Sequence, residues 1–222
     1  MTSRFTPIDG LDGVYTARLG KLSCTALRLV DGSLCLYSPV AGLEKTLAGQ
    51  ANEIGAASAL FAPNHYHNKG LAGHTRAFPT AVLYCSDTAR PRLSKTTGLD
   101  FDASVKLNAA LPTRVTMHEP DGLKTGEVWM VVNSGADCAL IVTDAFGSLA
   151  RPPGEFGQEA TLLRGFPRYG IEDAGAYKTW ASGILSETAP TILLPCHGSP
   201  VRSPDLATQL IGLLDGEFLD AH

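Results

Sequence analysis

Three histidines and one aspartate are the residues of this chain whose types and spacing could do chemistry. His65 and His67 are separated by one residue and follow a short apolar run, while Asp144 and His197 each follow an apolar run of their own. Side chains two residues apart in an extended segment point to the same side, so these two imidazoles could grip one divalent metal. A carboxylate from Asp144 and a third imidazole from His197 would complete such a site.

Strands and helices must alternate to position these residues. Asp31-Gly32 separates two apolar stretches and predicts a hairpin of strands 24–30 and 33–37. Apolar residues at spacings of three and four predict a helix over 43–54. A buried strand over 57–62 then ends at Pro63, directly before the two spaced histidines.

The second half repeats this alternation. A strand pair is predicted over 127–132 and 138–143, which places Asp144 at a strand end. A buried strand over 191–194 precedes His197, and Ser203 is predicted to cap the last helix. Strand ends on one side of a sheet are where α/β folds place their ligands. Residues 64–68, Asp144 and His197, which each follow a predicted strand, are therefore expected to meet there.

Other stretches carry weaker patterns. The Gly-, Pro- and Arg-rich stretch 150–170 predicts a long surface loop, and 90–112 predicts loop with some helix.

Composition limits the classes of function. The chain has 222 residues, a net charge of −4 and no run of Lys or Arg, which argues against a nucleic-acid partner. No apolar stretch approaches the roughly 20 residues that span a bilayer, and residues 1–13 lack the pattern of a signal peptide. The five cysteines include no Cys-x-x-Cys pair and are expected to be buried free thiols, which predicts a cytoplasmic protein. Without repeats or a linker, one domain over 1–222 is expected.

Three segments resemble the metallo-β-lactamase superfamily. Phe61 to Gly70 is similar to that family's strand-loop motif His-x-His-x-Asp-His. Ile141 to Ala145 resembles the strand of its bridging aspartate, and Leu194 to Gly198 resembles its last histidine motif. The resemblance runs from about residue 14 to about residue 201, and it implies a four-layer αββα sandwich with the retained residues at one edge.

The departures from the family pattern concern the metal ligands. Lys69 stands at the motif's Asp position, Gly70 at its second His position, and Leu123 at the family's central His position, with His118 as the alternative in another register. The resemblance therefore implies one zinc, iron or manganese ion on His65, His67 and Asp144. His197 is a further ligand or the acid-base group. Lys69 is hypothesised to replace the second cation by pairing with Asp144.

The leading hypothesis is a metal-dependent hydrolase with one metal, acting on a small-molecule substrate whose class stays open. In it, Asn68 or Lys69 polarises the substrate oxygen. One alternative is a metal-free, non-catalytic member of the fold that binds a small molecule or a partner protein. Another is an iron-dependent oxidoreductase. His74 is either a replacement ligand or a surface residue, and the sequence gives no oligomeric state.

Overall fold

Strands and helices alternate along the whole described chain. The structure is a computed structural model, and it describes residues 3–218. Its strands are β1 (Thr6–Ile8), β2 (Leu11–Leu19), β3 (Leu22–Arg28), β4 (Leu34–Tyr37), β5 (Ala57–Phe61), β6 (Val82–Cys85), β7 (Asp102–Ala103), β8 (Val115–His118), β9 (Trp129–Ser134), β10 (Asp137–Ser148), β11 (Ala160–Leu162), β12 (Ile192–His197) and β13 (Val201–Arg202). Its α-helices are α1 (Glu44–Ile54), α2 (Leu71–Ala77), α3 (Arg90–Thr97), α4 (Phe166–Gly170), α5 (Ala174–Thr188) and α6 (Leu206–Glu217), and a 3-10 helix spans Ser104–Ala109.

The strands form one curled sheet that folds into two halves. Its order is β7-β6-β5-β4-β3-β12-β10-β9-β8, so β12 lies between the N-terminal and C-terminal halves. β12 runs parallel to β10 and antiparallel to β3, which it meets at His197↔Leu22. The carboxyl ends of β5, β10 and β12 are thereby brought to one edge.

Three separate hydrophobic cores show how the layers stack. The middle core lies between the two halves of the sheet and contains Tyr37, Phe61, Met130, Ile141 and Leu194. One outer core packs α1, α2 and α3 on the N-terminal half, and the other packs α5 and α6 on the C-terminal half. This α/β arrangement of helix, sheet, sheet and helix confirms the predicted four-layer αββα sandwich.

Some local predictions need correction. The stretch 150–170 contains β11 and α4 and is not loop throughout. Helix α6 has Asp205 as its N-cap, so the prediction of Ser203 is wrong; the Ser203 hydroxyl instead accepts from the Asp205 N–H at 3.2 Å. Strand β10 continues past Asp144 to Ser148.

Two remaining expectations concern the chain as a whole. The prediction of one domain over 1–222 includes residues 1, 2 and 219–222, which lie outside the described residues, and it stays a prediction. Between residues 3 and 218, no helix has the length and apolar character needed to cross a membrane.

Candidate metal centre

Three of the four predicted ligands converge at the shared strand edge. The Nε2 atoms of His67 and His197 each lie 3.0 Å from Oδ1 of Asp144. One donor atom from each residue lies within 4.8 Å of the other two. Two imidazole nitrogens and a carboxylate oxygen form a donor set that zinc, iron and manganese accept.

His65 is not part of this group. Its Nε2 lies 3.2 Å from Nη1 of Arg92, a residue of α3. Burial and the nearby Arg92 charge lower the pKa of His65 to about 4, so its neutral ring accepts the guanidinium N–H. The Arg92 guanidinium also lies over the Tyr66 ring, 4.6 Å from its centroid.

The local backbone explains why the two spaced histidines separate. Residues 64–68 form a turn, in which the N–H of His67 bonds to the carbonyl of Asn64 at 3.3 Å and that of Asn68 to the carbonyl of Tyr66 at 3.1 Å. Side chains at i and i+2 share a side only in extended backbone. The alternation assumed from the sequence therefore fails in this loop.

Asn64 connects the loop to the aspartate. Its side chain is fully buried, and its Oδ1 accepts the backbone N–H groups of Tyr66 at 2.8 Å and His67 at 3.2 Å. Its Nδ2 donates to Oδ2 of Asp144 at 2.9 Å and to the Thr143 hydroxyl at 3.1 Å. Sequence reasoning assigned no role to Asn64, although an Asn after a proline in a loop is a common turn former.

The far nitrogen of His67 is also held. Its Nδ1 lies 2.8 Å from the Ser38 hydroxyl and 3.4 Å from the Cys196 sulfur. Burial alone would lower the pKa of His67, but Cys196 and the hydrogen bond to Asp144 outweigh burial and raise this pKa well above its usual value. A polar partner on the far nitrogen is typical of metal-binding histidines, because it fixes the ring orientation. The orientation of the His67 ring therefore suits a metal ion, which would displace the proton that the raised pKa retains.

Asp144 is ionised in this environment. It is almost fully buried, which by itself would raise the pKa of its carboxyl group. Hydrogen bonds from His197 and His67 outweigh that burial and hold the pKa far below its usual range. The carboxylate charge is thus available at neutral pH as a metal ligand.

The two other predicted site residues occupy different places. Asn68 uses its Nδ2 to donate to the carbonyl of His65 at 2.9 Å, which stabilises the loop. Lys69 is exposed and lines the cavity described next. Among residues 3–218, the ion pairs of Asp144 are with His67 and His197, so the hypothesis that Lys69 pairs with Asp144 is wrong.

Two further histidines lie elsewhere. His74 is fully buried in α2 with its Nδ1 2.9 Å from the carbonyl of Gly70, so it is neither a ligand of this group nor a surface residue. His118, the alternative central ligand, lies on β8 with its Nε2 2.8 Å from the Thr116 hydroxyl. Leu123, which stands at the position of the family's central histidine, forms an isolated antiparallel β-bridge with Ile171.

A cavity of about 410 Å³ opens onto the three converging residues. Apolar side chains of the β2–β3 hairpin and of the segment after β4 form one wall, and Lys69 lies at its rim. Tyr66 and Tyr169 form another wall, with their rings in edge contact at 5.2 Å. The cavity has the size and apolar lining of a small-molecule site.

Comparisons with known proteins agree on the fold. No family model matches the chain, and no curated protein matches its sequence. Among solved structures, a metallo-β-lactamase from Pontibacter korlensis is 11% identical with a TM-score of 0.63, covering 96% of this chain and 99% of that one.

Two other solved structures give the same result. The metallo-β-lactamase FIM-1 from Pseudomonas aeruginosa, in its mono-zinc form, is 13% identical with a TM-score of 0.62, covering 98% of this chain and 96% of that one. Rubredoxin oxygen:oxidoreductase from Desulfovibrio gigas is 15% identical with a TM-score of 0.67, covering 95% of this chain and 60% of that one. These similarities confirm the metallo-β-lactamase fold.

Proposed function

We propose that this chain, which has the metallo-β-lactamase fold, is a metal-dependent hydrolase that holds one divalent ion on His67, Asp144 and His197. The observation that carries the proposal is the convergence of their three donor atoms within 4.8 Å at the floor of a cavity. His65, part of the ligand set expected from the sequence, is left out because its nitrogen faces Arg92. Zinc, iron and manganese all suit this donor set.

The proposed roles follow from position. Ser38 holds the far nitrogen of His67, and Asn64 holds the second oxygen of Asp144. These contacts orient two ligands before any ion binds. A divalent ion in this set supplies Lewis acidity toward a carbonyl or phosphoryl oxygen.

The size of the cavity supports a small-molecule substrate. Its apolar walls favour a substrate with an apolar body, and the ammonium of Lys69 at the rim is placed to bind an anionic part of that substrate. Burial and the charge of Asp144 raise the pKa of Tyr169, so its phenol stays protonated and can donate a hydrogen bond.

We also propose a cytoplasmic location. All five cysteines are free and buried, although Cys24 and Cys35 are near neighbours in the sequence. Free thiols are typical of reducing compartments.

Elemental analysis of the protein purified without chelator tests the metal site. We expect about one equivalent of zinc, iron or manganese, in keeping with one donor set. Asp144→Asn should lose the ion. Asp137→Asn changes an aspartate at the other end of the same strand and should keep it.

Failure would also be clear. If the native protein holds no metal and takes none up on dialysis against zinc, iron or manganese, the hydrolase proposal is overturned in favour of a metal-free binding domain. If the metal is present, hydrolysis of 4-nitrophenyl acetate and bis(4-nitrophenyl) phosphate distinguishes acyl from phosphoryl substrates. Turnover of neither, together with oxygen-dependent visible absorbance of bound iron, would favour the oxidoreductase alternative.

A further inference from the structure

Strand β10 changes its alternation where it reaches Asp144. It pairs with β12 in step from Ala139 to Val142, and pairing resumes only at Gly147↔His197. Its pairing with β9 ends at Ile141. The intervening residues therefore leave the regular ladder on both sides.

The pairing register between β10 and β12 shifts by three residues across this irregularity. Leu140 and Val142 lie in the outer core, and so do the consecutive residues Ala145 and Phe146, so the strict alternation of side chains is lost. Because side chains alternate along a regular strand, an unbroken β10 would direct Asp144 into the same apolar core. The shift instead directs its carboxylate to His67 and His197.

One buried carboxylate accepts the backbone N–H groups that the irregularity leaves over. Glu127 precedes β9 and is 1% exposed. Its Oε1 accepts the N–H groups of Thr143 at 3.0 Å, Asp144 at 3.3 Å and Ala145 at 3.4 Å. Its Oε2 also lies 3.3 Å from the backbone nitrogen of Asp144. A glutamine would keep an accepting oxygen at the Oε1 position, but its NH2 group would place a donor at the Oε2 position, facing the Asp144 N–H.

Glu127 also links this bend to the loop that carries His67. The N–H of the next residue, Val128, bonds to the carbonyl of Pro63 at 2.8 Å. The Val128 carbonyl accepts from the Tyr37 hydroxyl at 2.6 Å. The acceptor for the Asp144 backbone is thus fixed to the same framework as the start of the loop.

We propose that Glu127 is a positioning residue that maintains the irregularity in β10 and thereby directs Asp144 to His67 and His197. Its effect on metal binding rests on the proposed function, because it acts through Asp144 as a ligand. Its effect on the orientation of Asp144 does not depend on a metal.

Zinc affinity, measured by competition with a chromophoric chelator, tests the first effect. Glu127→Gln should weaken zinc binding at least about tenfold, as is common for groups that orient metal ligands. Glu172→Gln, which changes an exposed glutamate, should leave the affinity unchanged. Glu127→Asp keeps both carboxyl oxygens but is one methylene shorter, so its zinc affinity should fall between those of the wild type and Glu127→Gln.

A double-variant cycle separates positioning from general destabilisation. In the Asp144→Asn background, the residual zinc affinity of the two histidines is measured by titration at high zinc concentration. Glu127→Gln should change that affinity less than about twofold, because the ligand through which it acts is already lost. An equal loss in both backgrounds would overturn the proposal. Wild-type affinity in folded Glu127→Gln would overturn it as well.

A metal-free measurement keeps this proposal distinct from the hydrolase proposal. The ring ¹⁵N signals of His67 and His197 report their contacts with Asp144 in protein treated with chelator. Glu127→Gln should shift both signals and leave that of His118 on β8 unchanged. If Glu127→Gln does not fold, the same comparison is made with Glu127→Asp, and unchanged His67 and His197 signals overturn the proposal. If the wild type binds no zinc but Glu127→Gln still shifts these two signals, the hydrolase proposal is refuted and the proposed role of Glu127 stands.

Discussion

The strand ends and the loop contribute to the candidate site in different ways. Asp144 and His197 lie on the adjacent parallel strands β10 and β12, and the irregularity in β10 directs Asp144 toward His197. The loop between β5 and α2 sends its polar side chains in separate directions: His67 to Asp144, His65 to Arg92, and Asn68 to a backbone carbonyl. A sheet places side chains by a shared rule, whereas a turn places each one by its own contacts.

The largest effect, on the free energy of unfolding, is expected for a substitution where the loop between β5 and α2 contacts the segment after β4. A Cβ at Gly70 would lie 2.0 Å from the carbonyl oxygen of Pro39, so Gly70→Ala must displace backbone. We expect the free energy of unfolding, measured in urea, to fall by about 3 kcal/mol. Gly49→Ala in α1 meets nothing within 4 Å and should stabilise the protein by about 0.5–1 kcal/mol. Equal stabilities of the two variants would show that the loop is not anchored at this contact.

The next effect distinguishes the two spaced histidines. His67→Ala should weaken zinc binding at least about a hundredfold, or about 2.7 kcal/mol, because it removes a donor atom. His65→Ala should leave the affinity within about twofold, since its nitrogen faces Arg92. Chelator competition measures both. A comparable loss in His65→Ala would restore this residue to the ligand set and erase the distinction between them.

The smallest effect concerns α2, which follows the loop. Burial lowers the pKa of His74 from 6.5, and its backbone N–H already satisfies the Gly70 carbonyl at 3.1 Å. As the pH falls below about 6.5, the unfolded chain takes up a proton that folded His74 does not. Stability therefore falls with decreasing pH, by at most about 1.4 kcal/mol per pH unit for one proton, until the lowered pKa is reached.

Urea unfolding between pH 7.5 and 5 measures this contribution. His74→Leu removes the titrating ring and should show a flatter dependence of stability on pH than the wild type. Parallel pH profiles for the two proteins would contradict a buried neutral histidine at this position.

Two residues whose positions were predicted from the sequence lie on strands, Asp144 on β10 and His197 on β12. Apolar runs ending in a polar residue located Asp144 and His197, because burial of a strand produces a pattern that the sequence retains. The resemblance to the metallo-β-lactamase superfamily supplied the four layers and the order of the motifs. Apolar periodicity alone would not have specified how the two halves of the sheet pack.

The errors have physical causes in particular residues. His65 was grouped with His67 because the segment was taken as extended, but Asn64 folds it into a turn. Glu127 was counted as the first residue of a strand, because nothing local shows that its carboxylate accepts N–H groups from residues 143–145. Lys69 was paired with Asp144, yet the two imidazoles already occupy that carboxylate.

The central place of β12 has a consequence for biosynthesis. This strand separates β3 from β10, although about 160 residues of sequence lie between it and β3. A ribosome-bound chain that has not yet reached residue 192 therefore exposes two unpaired strand edges, each a template for intermolecular pairing. Closure of the sheet depends on contacts of long sequence separation, which form slowly. Chaperone binding during translation should accordingly be strongest until β12 emerges and inserts.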